Sequence, residues 1–239
     1  MNGFYYKELT QVSFQELLNF ASWMNEFFGH YPTIVGGWAV WCYTNGLGSR
    51  DIDVVFPDAS SRNKALKHYF FYNDYEETGT FMEKTYVKRI ETEKGVEEII
   101  VDACTASDRR VIEDLDVTLP WKWAVNHSQK QKLEGDNYVY IPIPGLLLTY
   151  KIGAALGRRE TLKTARETDY LQSKIWKDLY DVASLTKTFK DKIERIQKFL
   201  DKSGIDKHIE DFVEILEARD DILETHDLKK GEFAKRILS

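Results

Sequence analysis

The run Asp51-Ile-Asp-Val-Val-Phe-Pro57 admits few structures. Carboxylates alternate with branched apolar residues at period two before a proline ends the run, which predicts a strand over Asp51 to Phe56 with one apolar face. Residues two apart face the same side, so Asp51 and Asp53 project together while Ile52 and Val54 face a core. Two carboxylates at one spot repel each other, a cost that a divalent cation between them relieves. Upstream, the short β-branched segment Thr33 to Val35 runs into Gly36-Gly37, and apolar residues resume at Trp38, Ala39, Val40 and Trp41. This reads as strand, glycine turn, helix. A turn without Cβ atoms at a helix N-terminus lets backbone N–H groups approach a phosphate. Taken singly, the carboxylates could be a solvated strand edge and the glycines a plain turn; their order and closeness favour a site.

The rest of the chain supplies the frame. Ser13 and Glu16 are spaced as a capping box, followed by Phe14, Leu17, Leu18, Ala21 and Met24 at helical spacing up to Gly29. Ser60 or Ser61 is expected to cap a helix to about Phe71, and Phe81–Glu91 with Val96–Thr105 reads as a hairpin around Glu93-Lys94-Gly95. A short helix is expected after Ser107, a strand over Tyr138–Ile143, and a helix started by Pro144. Strands then disappear. Helical periodicity covers 163–174, 175–187, 189–202 and 206–218, with Gly204 as punctuation and the last twenty residues as a charged helical tail. The fold class is α+β, a small mixed-sheet domain over 1–145 followed by a helical domain over 146–239.

Composition removes whole classes. At 43% hydrophobic and 30% charged, the 239-residue chain is too rich in core formers to be disordered. No run approaches the ~18 apolar residues of a membrane span, and Met1–Thr10 lacks a basic region followed by an apolar stretch. A cytoplasmic location without a membrane partner is expected. Cys42 and Cys104 lack CxxC spacing and read as reduced core residues, and the five histidines lack ligand spacing. The net charge of −6 is uneven: residues 1–145 carry 14 Lys+Arg against 21 Asp+Glu, and 146–239 carry 19 against 18. The excess of carboxylates in the first part is a solvated surface or includes a cation site.

Together, the apolar strand, Gly36-Gly37, the spacer and Asp51-x-Asp53 resemble the signature of the nucleotidyltransferase superfamily related to DNA polymerase β. The resemblance implies a third carboxylate on a later strand, for which Asp102 in Glu-Glu-Ile-Ile-Val-Asp-Ala is the candidate. Further on, Lys151 in the Ala-rich segment Lys-Ile-Gly-Ala-Ala-Leu, followed by Lys177-Asp178-Leu-Tyr-Asp181, is similar to the AbiEii/AbiGii and MenT-like toxin branch. That branch implies that Lys151 contacts nucleotide phosphates and that Asp178 is needed for activity. The activity implied by the resemblance is a Mg²⁺- or Mn²⁺-dependent transfer of NMP from NTP to an acceptor hydroxyl. Asp51, Asp53 and Asp102 would hold the metal, with Gly36, Gly37, Ser49, Arg50 and Lys151 at the nucleotide. The branch further implies an RNA acceptor such as the tRNA 3′ end and a partner antitoxin protein. Two other readings stand beside it: a small-molecule nucleotidyltransferase of the aminoglycoside or lincosamide type, and a catalytically silent member that binds nucleotide or a partner. In the plain structural reading, Lys151 is a solvated residue on a helix packed through Leu147, Tyr150 and Ala154, and Lys177 with Asp181 is an exposed i,i+4 pair. Arg158, Arg159, Lys163 and Arg166 form the densest basic cluster, either a solvated helix end or a place for an RNA backbone.

Overall fold

The computed structural model describes residues 7–79, 84–166, 168–189 and 195–238. The chain divides into two compact units, one drawn from 1–109 and 120–142, the other from 110–119 and 143–239. The division near 142 lies close to the expected boundary at 145, but the short segment 110–119 groups with the later unit. No described helix is long and apolar enough to cross a membrane.

In the first unit, α1 (Lys7–Phe28) begins well before the expected cap. Ser13 lies inside this helix, buried, and its Oγ accepts from Trp38 Nε1 at 3.1 Å. Glu16 accepts from the Tyr75 hydroxyl at 2.9 Å and from Lys88 Nζ at 2.8 Å. The Ser-x-x-Glu spacing thus serves tertiary contacts instead of a capping box, because both side chains face inward on the buried stripe of α1. Next come β1 (Thr33–Val35), α2 (Gly36–Thr44) and β2 (Asp51–Phe56), as the sequence leads one to expect. The following helix, α3 (Ala59–Ala65), is capped by Asp58, whose carboxylate accepts the Ser61 N–H at 2.7 Å, and not by either serine. A π-turn over Leu66–Phe70 continues it.

The polar strand β3 (Glu76–Gly79) carries no apolar alternation and escapes sequence reading; β4 (Lys84–Thr92) and β5 (Gly95–Thr105) form the expected hairpin. Residues 81–83 of the expected first strand lie outside the described residues. Where a short helix is expected after Ser107, the chain instead forms β6 (Arg109–Ile112) and β7 (Val117–Pro120), a separate two-stranded sheet. Burial of Ile112, Val117 and Leu119 decides for strands over the helix-compatible polar residues. The helix α4 (Lys122–Asn126) then leads to β8 (Ser128–Lys132) and β9 (Tyr138–Pro142).

Seven strands make one mixed sheet in the order β3-β4-β5-β2-β1-β9-β8. The pair β2 and β5 is parallel, as is β1 with β9, and the other neighbours are antiparallel. Ile52, Val54, Phe56, Tyr86, Val101 and Ala103 form the apolar face. Aromatic rings of α1 and the π-turn cover it: Tyr86 stacks on Phe70 at 4.4 Å and Phe20 meets Phe56 at 6.3 Å. The carboxylate-bearing positions of β2 therefore face the other way.

The second unit contains α5 (Pro144–Leu162), α6 (Thr168–Thr188), α7 (Ile196–Ser203), α8 (Ile209–Glu217), α9 (Asp220–Thr225) and α10 (Glu232–Leu238), together with the β6–β7 hairpin. With neither Gly nor Pro between 168 and 188, α6 is one helix where two segments are expected. On α5, every residue from Gly145 to Gly157 is buried. Its small residues have a steric cause: a Cβ on Gly153 would lie 2.5 Å from Leu119 of the hairpin. The charged tail is not merely solvated, since Ile222, Leu223, Leu228, Phe233 and Ile237 are buried.

The Glu16 contacts generate a prediction for the first unit. Tyr75→Phe deletes one donor to a buried carboxylate and should lower stability by about 1–2 kcal/mol. Urea denaturation checks it, and an unchanged midpoint would mean that Lys88 alone satisfies Glu16.

Candidate active site

The sheet register brings the candidate carboxylates together. Along the parallel β2/β5 ladder, Asp51 is opposite Ile100 and Asp53 is opposite Asp102. Directly paired residues share a face, as do residues two apart, so Asp51, Asp53 and Asp102 all project from one side, with β2 and β5 about 4.8 Å apart. All three are half-buried. Thr85, opposite Asp102 on β4, donates its hydroxyl to Asp102 Oδ1 at 2.8 Å and so orients that carboxylate.

The glycine pair has a sharper purpose than a bare turn. Gly36 has φ +67°, a conformation that favours glycine, and a Cβ there would collide with Asp53 Oδ2. A Cβ on Gly37 would lie 2.8 Å from Ser49 Oγ. The doublet thus admits the Asp53 carboxylate and the buried Ser49 hydroxyl to the first turn of α2, whose N-terminal end favours negative charge. Arg50 is anchored to β5: its Nε donates to the Glu98 carbonyl at 2.8 Å, and its guanidinium lies 3.9 Å from the Glu97 carboxylate.

Among the described residues no group of three or more His, Cys, Asp or Glu side chains converges as a ready-made metal cage. The donors nevertheless suit Mg²⁺, which takes hard oxygen ligands and is commonly held by one or two carboxylates, with substrate phosphates and water supplying the rest. Asp53 and Asp102 in register, with Asp51 on the same face, offer that chemistry.

Lys151 and Asp178 lie in the second unit, in a buried ionic cluster of α5 and α6. Lys151 Nζ is 3.1 Å from Asp178 Oδ1 and 2.7 Å from Asp181 Oδ2. Arg158, two turns along α5, pairs with Asp178, and Lys177 pairs with Asp181. The solvated alternative for Lys151 and the exposed i,i+4 pair Lys177/Asp181 are both overturned, since all four of Lys151, Lys177, Asp178 and Asp181 are buried. Burial penalises the Lys151 ammonium, but Asp181 and Asp178 outweigh it and hold its pKa above that of an ordinary lysine. For Lys177, burial prevails over the attraction of Asp181, and its pKa is lowered. Burial would raise the Asp178 pKa, yet Arg158 and Lys151 hold it below the usual carboxylate range. Among the described residues, the three cations Lys151, Arg158 and Lys177 face the two carboxylates Asp178 and Asp181. Of the basic cluster at the end of α5, Arg158 is spent on Asp178 and Lys163 pairs with Glu160.

One pairing on α6 has no sequence signal. Ser184 Oγ and His226 Nε2 are 2.7 Å apart, while His226 Nδ1 lies 2.8 Å from the Ile222 carbonyl. A carbonyl only accepts, so Nδ1 carries the proton and Ser184 donates to the bare Nε2. Forty-two residues separate the partners, a distance at which neither helical nor strand periodicity speaks.

Two variants probe these contacts. Lys151→Ala leaves Asp178 and Asp181 buried with one cation fewer and should cost about 3–5 kcal/mol in denaturant unfolding; a loss under about 1 kcal/mol would mean that Arg158 and Lys177 suffice. Burial lowers the His226 pKa, with Asp181 opposing and Lys187 adding to the shift. The unfolded state then binds the proton first, so this stability is present above about pH 6.5 and is lost as the pH falls through the lower folded value. Thermal midpoints between about pH 7.5 and 5 should fall less in His226→Gln than in wild type, and equal slopes would refute the assignment. Comparison of the chain with family models, curated proteins and solved structures yields no match.

Proposed function

We propose that the chain is a metal-dependent nucleotidyltransferase that moves NMP from an NTP to an acceptor hydroxyl, with RNA as the acceptor class. The observation that supports this reading is Asp53 set opposite Asp102 on parallel strands, with its carboxylate occupying the space that Gly36 leaves open. In this reading Asp53 and Asp102, with Asp51 on the same face, would hold Mg²⁺ or Mn²⁺, which when bound would neutralise charge on the triphosphate. Backbone N–H groups at the Gly36-Gly37 start of α2 donate to phosphate oxygens. Asp102, oriented by Thr85, helps take the proton of the acceptor hydroxyl. The freed oxygen attacks the α-phosphorus in line, the bond to the β-phosphate oxygen breaks, and pyrophosphate leaves. The excess of cations around Lys151 and Lys177 favours an anionic ligand at the second unit as well.

Incubation with each labelled NTP, Mg²⁺ and total RNA, followed by a gel, tests activity, base and acceptor at once. Asp53→Asn should lower label transfer by about 100-fold or more, the scale of losing charge stabilisation worth several kcal/mol, while the variant stays folded. Near wild-type transfer by folded Asp53→Asn would remove the site.

A further inference from the structure

The carboxylate face of the sheet does not end at β1. Registered partners carry it across the sheet: Val55, two residues from Asp53, is opposite Thr33, Thr33 is opposite Tyr140, and Tyr140 is opposite Lys130. Lys132 is likewise opposite Tyr138. Tyr138, Tyr140, Lys130 and Lys132 therefore stand on the same face as Asp51, Asp53 and Asp102. Three strand spacings separate β2 from the edge strand β8, roughly 14 Å.

This edge is built from rings and cations. Lys130 Nζ lies 4.1 Å from the Tyr138 ring centre and 4.8 Å from that of Tyr31, and the two rings are 5.4 Å apart. The Tyr31 hydroxyl donates to the Asp136 carbonyl at 3.2 Å, so the pair of rings is tethered. Lys130 and Lys132 are nonetheless exposed, as is Lys122 on α4. At the Tyr31 and Tyr140 end opens a cavity of about 300 Å³, walled by Thr33, Val125 and Ser128 and on its inner side by Met24, Val54 and Phe56, large enough for a small planar group. Residues 117–133 hold three lysines and His127 without a carboxylate, and the two carboxylates of the hairpin, Glu134 and Asp136, sit beyond Lys132 in the β8–β9 turn.

We infer that the β8–β9 edge, with Lys130 and Lys132 on phosphates and Tyr31, Tyr138 and Tyr140 against bases, binds single-stranded RNA. Resting on the nucleotidyltransferase reading, this is the track along which the acceptor strand reaches the carboxylates. Aromatic faces beside lysines fit a single strand because each base offers a ring to stack while the backbone meets the cations. A duplex keeps its bases stacked on one another and cannot use the rings. An acidic peptide would satisfy the lysines but leave the rings and the cavity without use.

The test is fluorescence anisotropy with a fluorescein-labelled single-stranded RNA of about twelve nucleotides, on wild type, Lys130→Gln/Lys132→Gln and Tyr138→Ala across a salt series. Binding by wild type is expected, weakened at least fivefold in the double lysine variant. Its salt dependence should also be shallower by about 1.4, two phosphate contacts at ~0.7 each. Tyr138→Ala should lose affinity without a change in that slope. The proposal is overturned by a wild type that does not bind the RNA, by a lysine variant with unchanged affinity and slope, or by poly-glutamate displacing the RNA as well as unlabelled RNA does. A protein that binds RNA through these lysines yet transfers no nucleotide would overturn the enzymatic reading and leave this surface standing.

Discussion

The parallel pairing of β2 with β5 is the constraint on which the first unit turns. Strands that run the same way cannot be joined by a tight turn. Here the chain between them makes α3, the π-turn and the strands β3 and β4 before β5 enters beside β2. That detour covers the apolar face with Tyr69 and Phe70, and it sets Asp102 level with Asp53. A slip of one residue would turn Asp102 to the aromatic core and Val101 to the carboxylate face. Packing of Tyr86, Val101 and Ala103 therefore holds the register on which the site depends.

Much of this frame is legible from residues alone. Period-two alternation marks β2, and the Gly36-Gly37 doublet marks the start of α2. What escapes the sequence is whatever depends on partners distant in the chain. Ser13 and Glu16 have the spacing of a cap, and only Trp38, Tyr75 and Lys88 reveal them as inward-facing. β3 reads Glu-Glu-Thr-Gly and exists because β4 offers a ladder, and β6 and β7 form because Ile112, Val117 and Leu119 find a buried place. Asp102 stands out as a lone carboxylate in a β-branched run, yet its parallel register with Asp53 has no local sign.

Lys151, Lys177, Asp178 and Asp181 illustrate the same limit in electrostatic form. Four charged residues on helices normally read as solvent-facing. Their spacing shows which share a side of a helix, but their burial follows from α5 being enclosed along most of its length. Such a cluster is a poor source of net stability, because desolvation offsets most of the attraction. It does demand that α5 and α6 meet in one alignment, since any slide would strand a charge.

The β6–β7 hairpin makes the second unit discontinuous in the chain. Leu119 fills the space over Gly153, and the Asp116 carbonyl lies where a Cβ on Gly204 would be, 2.8 Å away. A fragment beginning at 143 lacks both, and with them part of its own core. Neither unit is therefore a single stretch that can be excised, exchanged by recombination at one breakpoint, or completed during synthesis before the other has begun. On the ribosome the hairpin emerges ahead of α5 and α7, so Leu119 and the Asp116 carbonyl find their places against Gly153 and Gly204 only once those later helices have been made.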